Sequence, residues 1–314
     1  MRYRTLGKTA LEISEIGFGC ASFWGKKIFS EREAIRLVHA ALDHGVSYFD
    51  TASSYSGGNA EPRLGKALAG MYARHEIIIS TKIGSHTNRF GRPYGDFSPA
   101  AIRRSVEQSL KQLNIDAIPI LLLHGPDFTE FGTEGLLEEL AQLKQEGKFR
   151  HLGLNSFEME VVEHVMALPQ FEVAMIDYNL LRPERADIID RLSERQIGLL
   201  AGMPLASGLL RNSKSSPRRI QDAWYALRTW KHHRADAVSA RDFEFIKSVE
   251  GWTSSQIALT WVLSNPKIHS AVFGSTRMSH LMENLAASGR RLDNEVISKI
   301  TDVHCYKSSA LGCL

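Results

Sequence analysis

The feature that most constrains this chain is an alternation repeated eight times, in which a short, nearly all-apolar run of β-forming residues is followed by an amphipathic stretch of helical period. The apolar runs fall at residues 16–19, 47–51, 77–82, 118–124, 149–154, 174–178, 197–201 and 268–274. Helical patterns follow them at residues 31–44, 61–69, 99–113, 133–146, 158–167, 184–195, 254–263 and 279–287. Start and stop signals agree with this division. Ser30 with Glu33 forms a capping box, Ser98-Pro99 puts proline at a first helical position, and Gly45 and Gly147 close helices. Ahead of the first unit, residues 3–6 and 11–13 around Gly7-Lys8 read as a hairpin. Strands apolar on both faces belong to a parallel sheet covered by helices. Eight such units favour closure over an open sheet, so the expected fold is α/β: a (β/α)8 TIM barrel with a short N-terminal β-hairpin. The rival doubly wound sheet would want G-x-G-x-x-G after its first strand. Here Gly17-Phe18-Gly19 runs into Cys20-Ala21-Ser22, with no third glycine in place.

Composition sets outer limits. A barrel of 314 residues with 43% hydrophobic content can remain one domain, expected here over residues 1–314. The longest apolar runs, such as residues 118–123, fall far short of the roughly 20 residues a membrane helix needs. The opening MRYRTLGKTALEI lacks the apolar centre of a secretion signal, so a cytoplasmic protein is expected. Cys20, Cys305 and Cys313 have no metal or redox spacing, and reduced thiols are expected. A net charge of +3 is too mild to imply nucleic acid. Oligomeric state is not legible. One interruption, residues 209–238, is basic, with Arg211, Lys214, Arg218, Arg219, Arg228, Lys231 and Arg234 against Asp222 and Asp236. It reads either as a solvated loop or as a clamp over an anionic ligand.

In such a barrel the C-terminal strand ends share one mouth. Asp50 ends the second apolar run, Tyr55 follows in its loop, Lys82 ends the third and His124 the fourth. Each also has a plainer reading, as turn cap, snorkelling cation or hydrogen-bonded structural histidine. Together they form a chemical set. Lys82 closes a very apolar strand, where an unpaired ammonium is costly, and Asp50 on the neighbouring strand is its natural partner. A charged lysine beside a phenol favours phenolate, lowering its pKa from the reference near 10. Tyr55 can then serve as general acid to a carbonyl receiving hydride, while His124 hydrogen-bonds the carbonyl oxygen. No metal is required or suggested.

The segment FDTASSYSGGNAEPRLGKAL, the Thr81-Lys82 pair, LLLHGPD around His124, RTLGKTALEISEIGFGC at the start and GSTRMSHLMEN near the end resemble the aldo-keto reductase superfamily. The resemblance implies a catalytic tetrad, matched by Asp50, Tyr55, Lys82 and His124, and NADPH (NADP+) bound extended across the barrel mouth. It implies nicotinamide contacts from Asn155 and Ser156, whose order is the reverse of the family's usual Ser-Asn pair. Met175 stands where a glutamine is common. Where many members stack an aromatic ring on the nicotinamide, this chain has Gly202 followed by Met203, Pro204 and Leu205. Gly274, Ser275, Thr276, Arg277, His280, Glu283 and Asn284 match the adenosine and 2′-phosphate segment. A strand-to-helix loop with small residues and an arginine suits a phosphate on its own account. Among the aromatics of the mouth loops, which include Phe23, Phe128 and Phe131, Trp24 is the one expected in a substrate pocket.

The expected function is NADPH-dependent reduction of an aldehyde or ketone to an alcohol, on a small-molecule carbonyl substrate, with no nucleic-acid or membrane partner. Two alternatives stand beside it. Lys82 could form a Schiff base in an aldolase-like barrel. The chain could instead be a nucleotide-sensing regulatory subunit with little turnover, similar to the potassium-channel beta subunits, although no partner-binding motif is visible.

Overall fold

The computed structural model describes residues 1–72, 76–88, 92–210 and 234–311. Eight parallel strands close into a barrel in chain order: β1 (Ile16–Gly19), β2 (Tyr48–Asp50), β3 (Ile78–Ile83), β4 (Ile118–His124), β5 (Phe149–Asn155), β6 (Phe171–Asp177), β7 (Gly198–Gly202) and β8 (Ser270–Phe273). The helices between and after them are α1 (Glu31–Asp43), α2 (Ala60–Leu68), α3 (Pro99–Leu113), α4 (Leu136–Gln145), α5 (Met159–Met166), α6 (Arg185–Glu194), α7 (Ser254–Ser264) and α8 (Met278–Leu285). Local chemistry explains their limits. The Ser30 hydroxyl accepts the Glu33 amide at 3.3 Å, and α1 then buries Ala34, Leu37, Val38, Ala41 and Leu42, one stripe at helical spacing. Pro99 opens α3, which Asn114 closes in the left-handed conformation. The fourth helix begins at Leu136 rather than 133, because Gly135 enters it with φ +77°.

Alternate strand residues face two different cores. Outward ones such as Phe18, Phe49, Ile79 and Leu121 pack under the helices. Inward ones, including Tyr48, Ile78, Ile120, Leu122, Val173, Met175, Leu200 and Val272, fill the barrel. The hairpin of Tyr3–Thr5 and Glu12–Ser14 is present and adds Leu6 and Ile13 to that interior cluster, capping the N-terminal end. Glycine makes the fit possible. A Cβ on Gly17 would stand 2.6 Å from the Tyr48 ring, and one on Gly198 would stand 2.6 Å from Leu6.

Four features go beyond the pattern of the sequence: a hairpin (Ser85–Thr87 with Pro93–Gly95) after β3, a short helix (Phe128–Phe131) after β4, a 3-10 stretch (Ala240–Lys247), and a last helix (Asn294–Leu311). Of the basic interruption, Leu209, Leu210 and the helix Arg234–Ser239 are described; Arg211, Lys214, Arg218, Arg219, Asp222, Arg228 and Lys231 lie outside the described residues. Gly153, inward on β5, offers a direct test of barrel packing. A Cβ there would collide with the Val173 carbonyl and stand 2.6 Å from Leu122 Cδ2. Gly153→Ala should therefore cost about 1–3 kcal/mol of stability, read as a lower urea midpoint by circular dichroism; an unchanged midpoint would mean the barrel wall is looser than described.

Candidate active site

Asp50, Lys82 and His124 end the inward rows of three adjacent strands. Tyr48 and Asp50 share the inward face of β2, Ile78, Ser80 and Lys82 that of β3, and Ile120, Leu122 and His124 that of β4. Parallel register sets Asp50 level with Ser80 and Lys82 level with Leu122, so the three polar ends meet above the apolar filling. The loop after β2 is then tied to β3. Thr51 N–H donates to Ser80 O at 2.9 Å, and Ser53 donates to Lys82 O through both its amide (3.1 Å) and its hydroxyl (3.0 Å). Tyr55 N–H closes a turn onto Ala52 O at 3.1 Å, which carries the phenol back over the strand ends.

Lys82 is fully buried, and its ammonium donates to both Asp50 oxygens at 2.6 Å and to Thr51 O at 2.9 Å. Asp50 Oδ1 also accepts the Ser80 hydroxyl at 2.7 Å, and Ser80 in turn shares a 2.7 Å hydrogen bond with Tyr48 OH. The ammonium lies 4.8 Å from the Tyr55 ring centroid and hydrogen-bonds the Tyr55 side chain. Burial by itself pulls the Lys82 pKa down. The charge of Asp50, the interaction with Tyr55 and the hydrogen bonds to both outweigh it, leaving the pKa above the ordinary lysine value. The His124 ring meets Tyr55 edge-on, with centroids 5.6 Å apart at 81°. Burial, followed by the charge of Lys82, pushes the His124 pKa down to about 3. Its imidazole is therefore neutral at physiological pH and presents one N–H donor, with Nδ1 buried and unpartnered among the described residues. Cys20, buried beside the pair, has its thiol pKa raised by burial and by Asp50.

This arrangement holds a cation against a phenol and a neutral donor beside both. It is poorly suited to a Schiff base, which needs an accessible free amine; here the amine is charged, buried and committed to Asp50 and Thr51. Sequence reasoning missed the supports Tyr48, Ser80, Thr51 and Ser53. Ser80 was discoverable, since it lies two residues before Lys82 on the same face.

Farther round the rim, Asn155 and Met175 are level in register, and Asn155 Nδ2 donates to Met175 O at 3.1 Å. The Ser156 hydroxyl accepts Glu158 N–H at 3.2 Å. All three side chains are buried. Gly202 ends β7, where a Cβ would stand 3.3 Å from Ile176 O, 3.5 Å from Met175 and 3.8 Å from the Phe157 ring. Phe157 is 40% exposed, an aromatic at this rim that the sequence reading did not single out. Arg185 Nη2 donates to its carbonyl at 3.2 Å, while Arg185 Nε donates to Asp177 at 2.9 Å. Beyond Gly202, Met203 is in the left-handed region (φ +51°), with its carbonyl accepting from Asn179 at 3.1 Å; Pro204 is buried and Leu205 half-buried. Strain of this kind is kept where surrounding contacts enforce it.

The far side combines a close backbone approach, a fixed turn and a cleft lined by an arginine. After β8, Gly274 runs so close to Gly19 O that a Cβ would stand 2.9 Å from it. Ser275 accepts Arg277 N–H at 3.2 Å and donates to Arg277 O at 2.9 Å, which fixes the turn into α8. Thr276 and Arg277 line a cleft of about 330 Å³. Farther along α8, His280 and Glu283 are half-buried, and Asn284 is buried with Oδ1 unpartnered among the described residues, a polar atom suited to a ligand.

Trp24 requires a correction. Its indole is 1% exposed, packs edge-on against Phe18 and donates to Ala34 O at 3.3 Å, so it is a core side chain beneath the first loop and no wall of a substrate pocket. The buried Arg63 guanidinium fastens that loop through the carbonyls of Trp24 and Phe29. A second consequence concerns the buried pair. Asp50→Asn and Lys82→Met should each cost about 3–5 kcal/mol by stranding the other partner, and the double variant should cost less than either; denaturant unfolding of all three checks this, and additive losses would contradict it.

The model of the aldo/keto reductase family matches residues 15–304. An uncharacterized oxidoreductase of Bacillus subtilis is 29% identical over 96% of this chain and 95% of its own. L-galactose dehydrogenase of Arabidopsis thaliana is 29% identical over 95% and 92%. A probable voltage-gated potassium channel subunit beta of Arabidopsis thaliana is 28% identical over 91% of each chain. Among solved structures, the holo form of an aldo-keto reductase from Bacillus halodurans superposes with a TM-score of 0.80 at 25% identity, covering 96% of both chains. With the family model spanning nearly its whole length, this chain belongs to the aldo/keto reductase family of oxidoreductases.

Proposed function

We propose that the protein is an NADPH-dependent carbonyl reductase, acting in the cytosol as a single domain on a small aldehyde or ketone, and reversible as alcohol oxidation. The observation that carries this reading is the chain from Asp50 through Lys82 to Tyr55, with a neutral His124 edge-on to the phenol. A bound nicotinamide supplies the hydride. Tyr55 gives its hydroxyl proton to the oxygen of the carbonyl, which becomes an alkoxide as the carbon is reduced. Lys82 stabilises the phenolate left behind, and Asp50 keeps Lys82 charged and in place. The neutral His124 donates a hydrogen bond to the same oxygen without competing for the proton.

Asn155, Ser156 and Met175, with the backbone of Met203, Pro204 and Leu205, would hold the nicotinamide end. Gly274, Ser275, Thr276, Arg277, His280, Glu283 and Asn284 would hold the adenosine and its phosphate. Arg277, a planar fork on the cleft, suits a phosphate and favours NADPH over NADH. A second reading, a dinucleotide-responsive regulatory subunit, is favoured by the channel-subunit relative and by the glycine at position 202, which contributes no side chain to the site.

Tyr55→Phe should lower carbonyl-dependent NADPH oxidation about 10²–10⁴-fold while dinucleotide affinity stays within about twofold; retained turnover would remove Tyr55 as the acid. Wild-type protein that binds NADPH yet turns over none of a broad carbonyl panel would favour the regulatory reading. The His124 imidazole, with its pKa down at about 3, gains charge only in strong acid. Its NMR resonances should stay flat between about pH 5 and pH 8, where an ordinary histidine titrates; a midpoint inside that window would refute the neutral-donor role.

A further inference from the structure

Resting on the reading of the cofactor as NADPH, we propose that Arg36 of α1 is a second phosphate-reading arm, facing Arg277 across the cleft and setting preference for the 2′-phosphate. The cleft lies between two elements of different origin. Glu33, Arg36 and Leu37 of α1 form one wall, and residues 276–279, the turn into α8, form the other. Its chemistry is that of a nucleotide edge, with two guanidiniums, the Thr276 and Ser279 hydroxyls, and apolar surface from Leu37 and Met278. Arg36 is placed by the helix period. The stripe of Ala34, Leu37, Val38 and Ala41 packs α1 onto the barrel, which leaves positions 33 and 36, three apart, on one exposed edge beside the turn after β8.

The residue types on the two walls suit an anion. Among the described residues the cleft is lined by two arginines and one carboxylate, and planar guanidiniums on opposite walls can each engage phosphate oxygens in pairs. Glu33 works the other way. A carboxylate is the group that accepts a ribose 2′-hydroxyl, and it repels a 2′-phosphate. The same helix edge thus carries one residue for each nucleotide, and Arg36, joined by Arg277, tips the balance.

Fragments test this without turnover. Binding of 2′,5′-ADP and of 5′-AMP is measured by calorimetry on the full chain for wild type, Arg36→Ala, Arg277→Ala and Glu33→Gln. Arg36 is exposed, so its variant should fold, which circular dichroism checks. The expected result is about a tenfold or greater loss of 2′,5′-ADP affinity in Arg36→Ala, with 5′-AMP within about twofold, and a gain for 2′,5′-ADP in Glu33→Gln. If Arg277→Ala loses the 2′-phosphate preference while Arg36→Ala keeps it, Arg36 is a surface residue and the proposal falls alone. If the wild type shows no preference for 2′,5′-ADP, the NADPH reading itself falls.

Discussion

A buried ammonium is the constraint around which the mouth of this barrel is organised. Lys82 closes a strand with no solvent contact, and removing an unpaired cation from water costs several kcal/mol. Asp50 and Thr51 O meet that cost directly, and Tyr55 takes part through its side chain. An ammonium has three protons to give. Asp50 is itself oriented by Ser80, and Ser80 by Tyr48 deep in the barrel, so a line of hydrogen bonds runs from the apolar core through Lys82 to the Tyr55 side chain. The same charge that suits Lys82 to its phenol helps keep His124 neutral.

The fold supplies this arrangement cheaply. Parallel register and inward alternation set the three strand-end groups side by side without any special loop. Only Tyr55 comes from outside a strand, and two hydrogen bonds from Ser53 to the Lys82 carbonyl secure its approach. The N-terminal hairpin plugs the opposite end and fills the interior from below with Leu6 and Ile13.

Much of this was legible in the residues. The barrel strands repeat an apolar pattern of fixed period, and Ile118–His124 and Pro99–Leu113 have the bounds their sequences suggest, because proline and strand-ending polar residues mark them. The Asp50–Lys82 pairing followed from the cost of a lone buried charge. What escaped depends on tertiary contact. Trp24 in a loop looks like a pocket aromatic, and only the Phe18 ring and the Ala34 carbonyl reveal it as core. Phe157 comes to the rim only through the fold, which sets it beside Gly202, forty-five residues later. The hairpin after β3 has strands of three residues, too short for periodicity to register. Arg36 looks like any exposed helix residue until the turn after β8 is set beside it.

The charge state of Lys82 is the most direct measure of the whole arrangement. In protein labelled at lysine Cε, the Lys82 resonance can be followed by NMR as pH is raised. It should hold its ammonium position through about pH 10, beyond the point at which exposed lysines begin to titrate. A resonance that moves to the neutral-amine position near or below neutral pH, as burial without a partner would cause, would contradict the role of Asp50 and with it the assignment of Tyr55 as a proton donor backed by a cation.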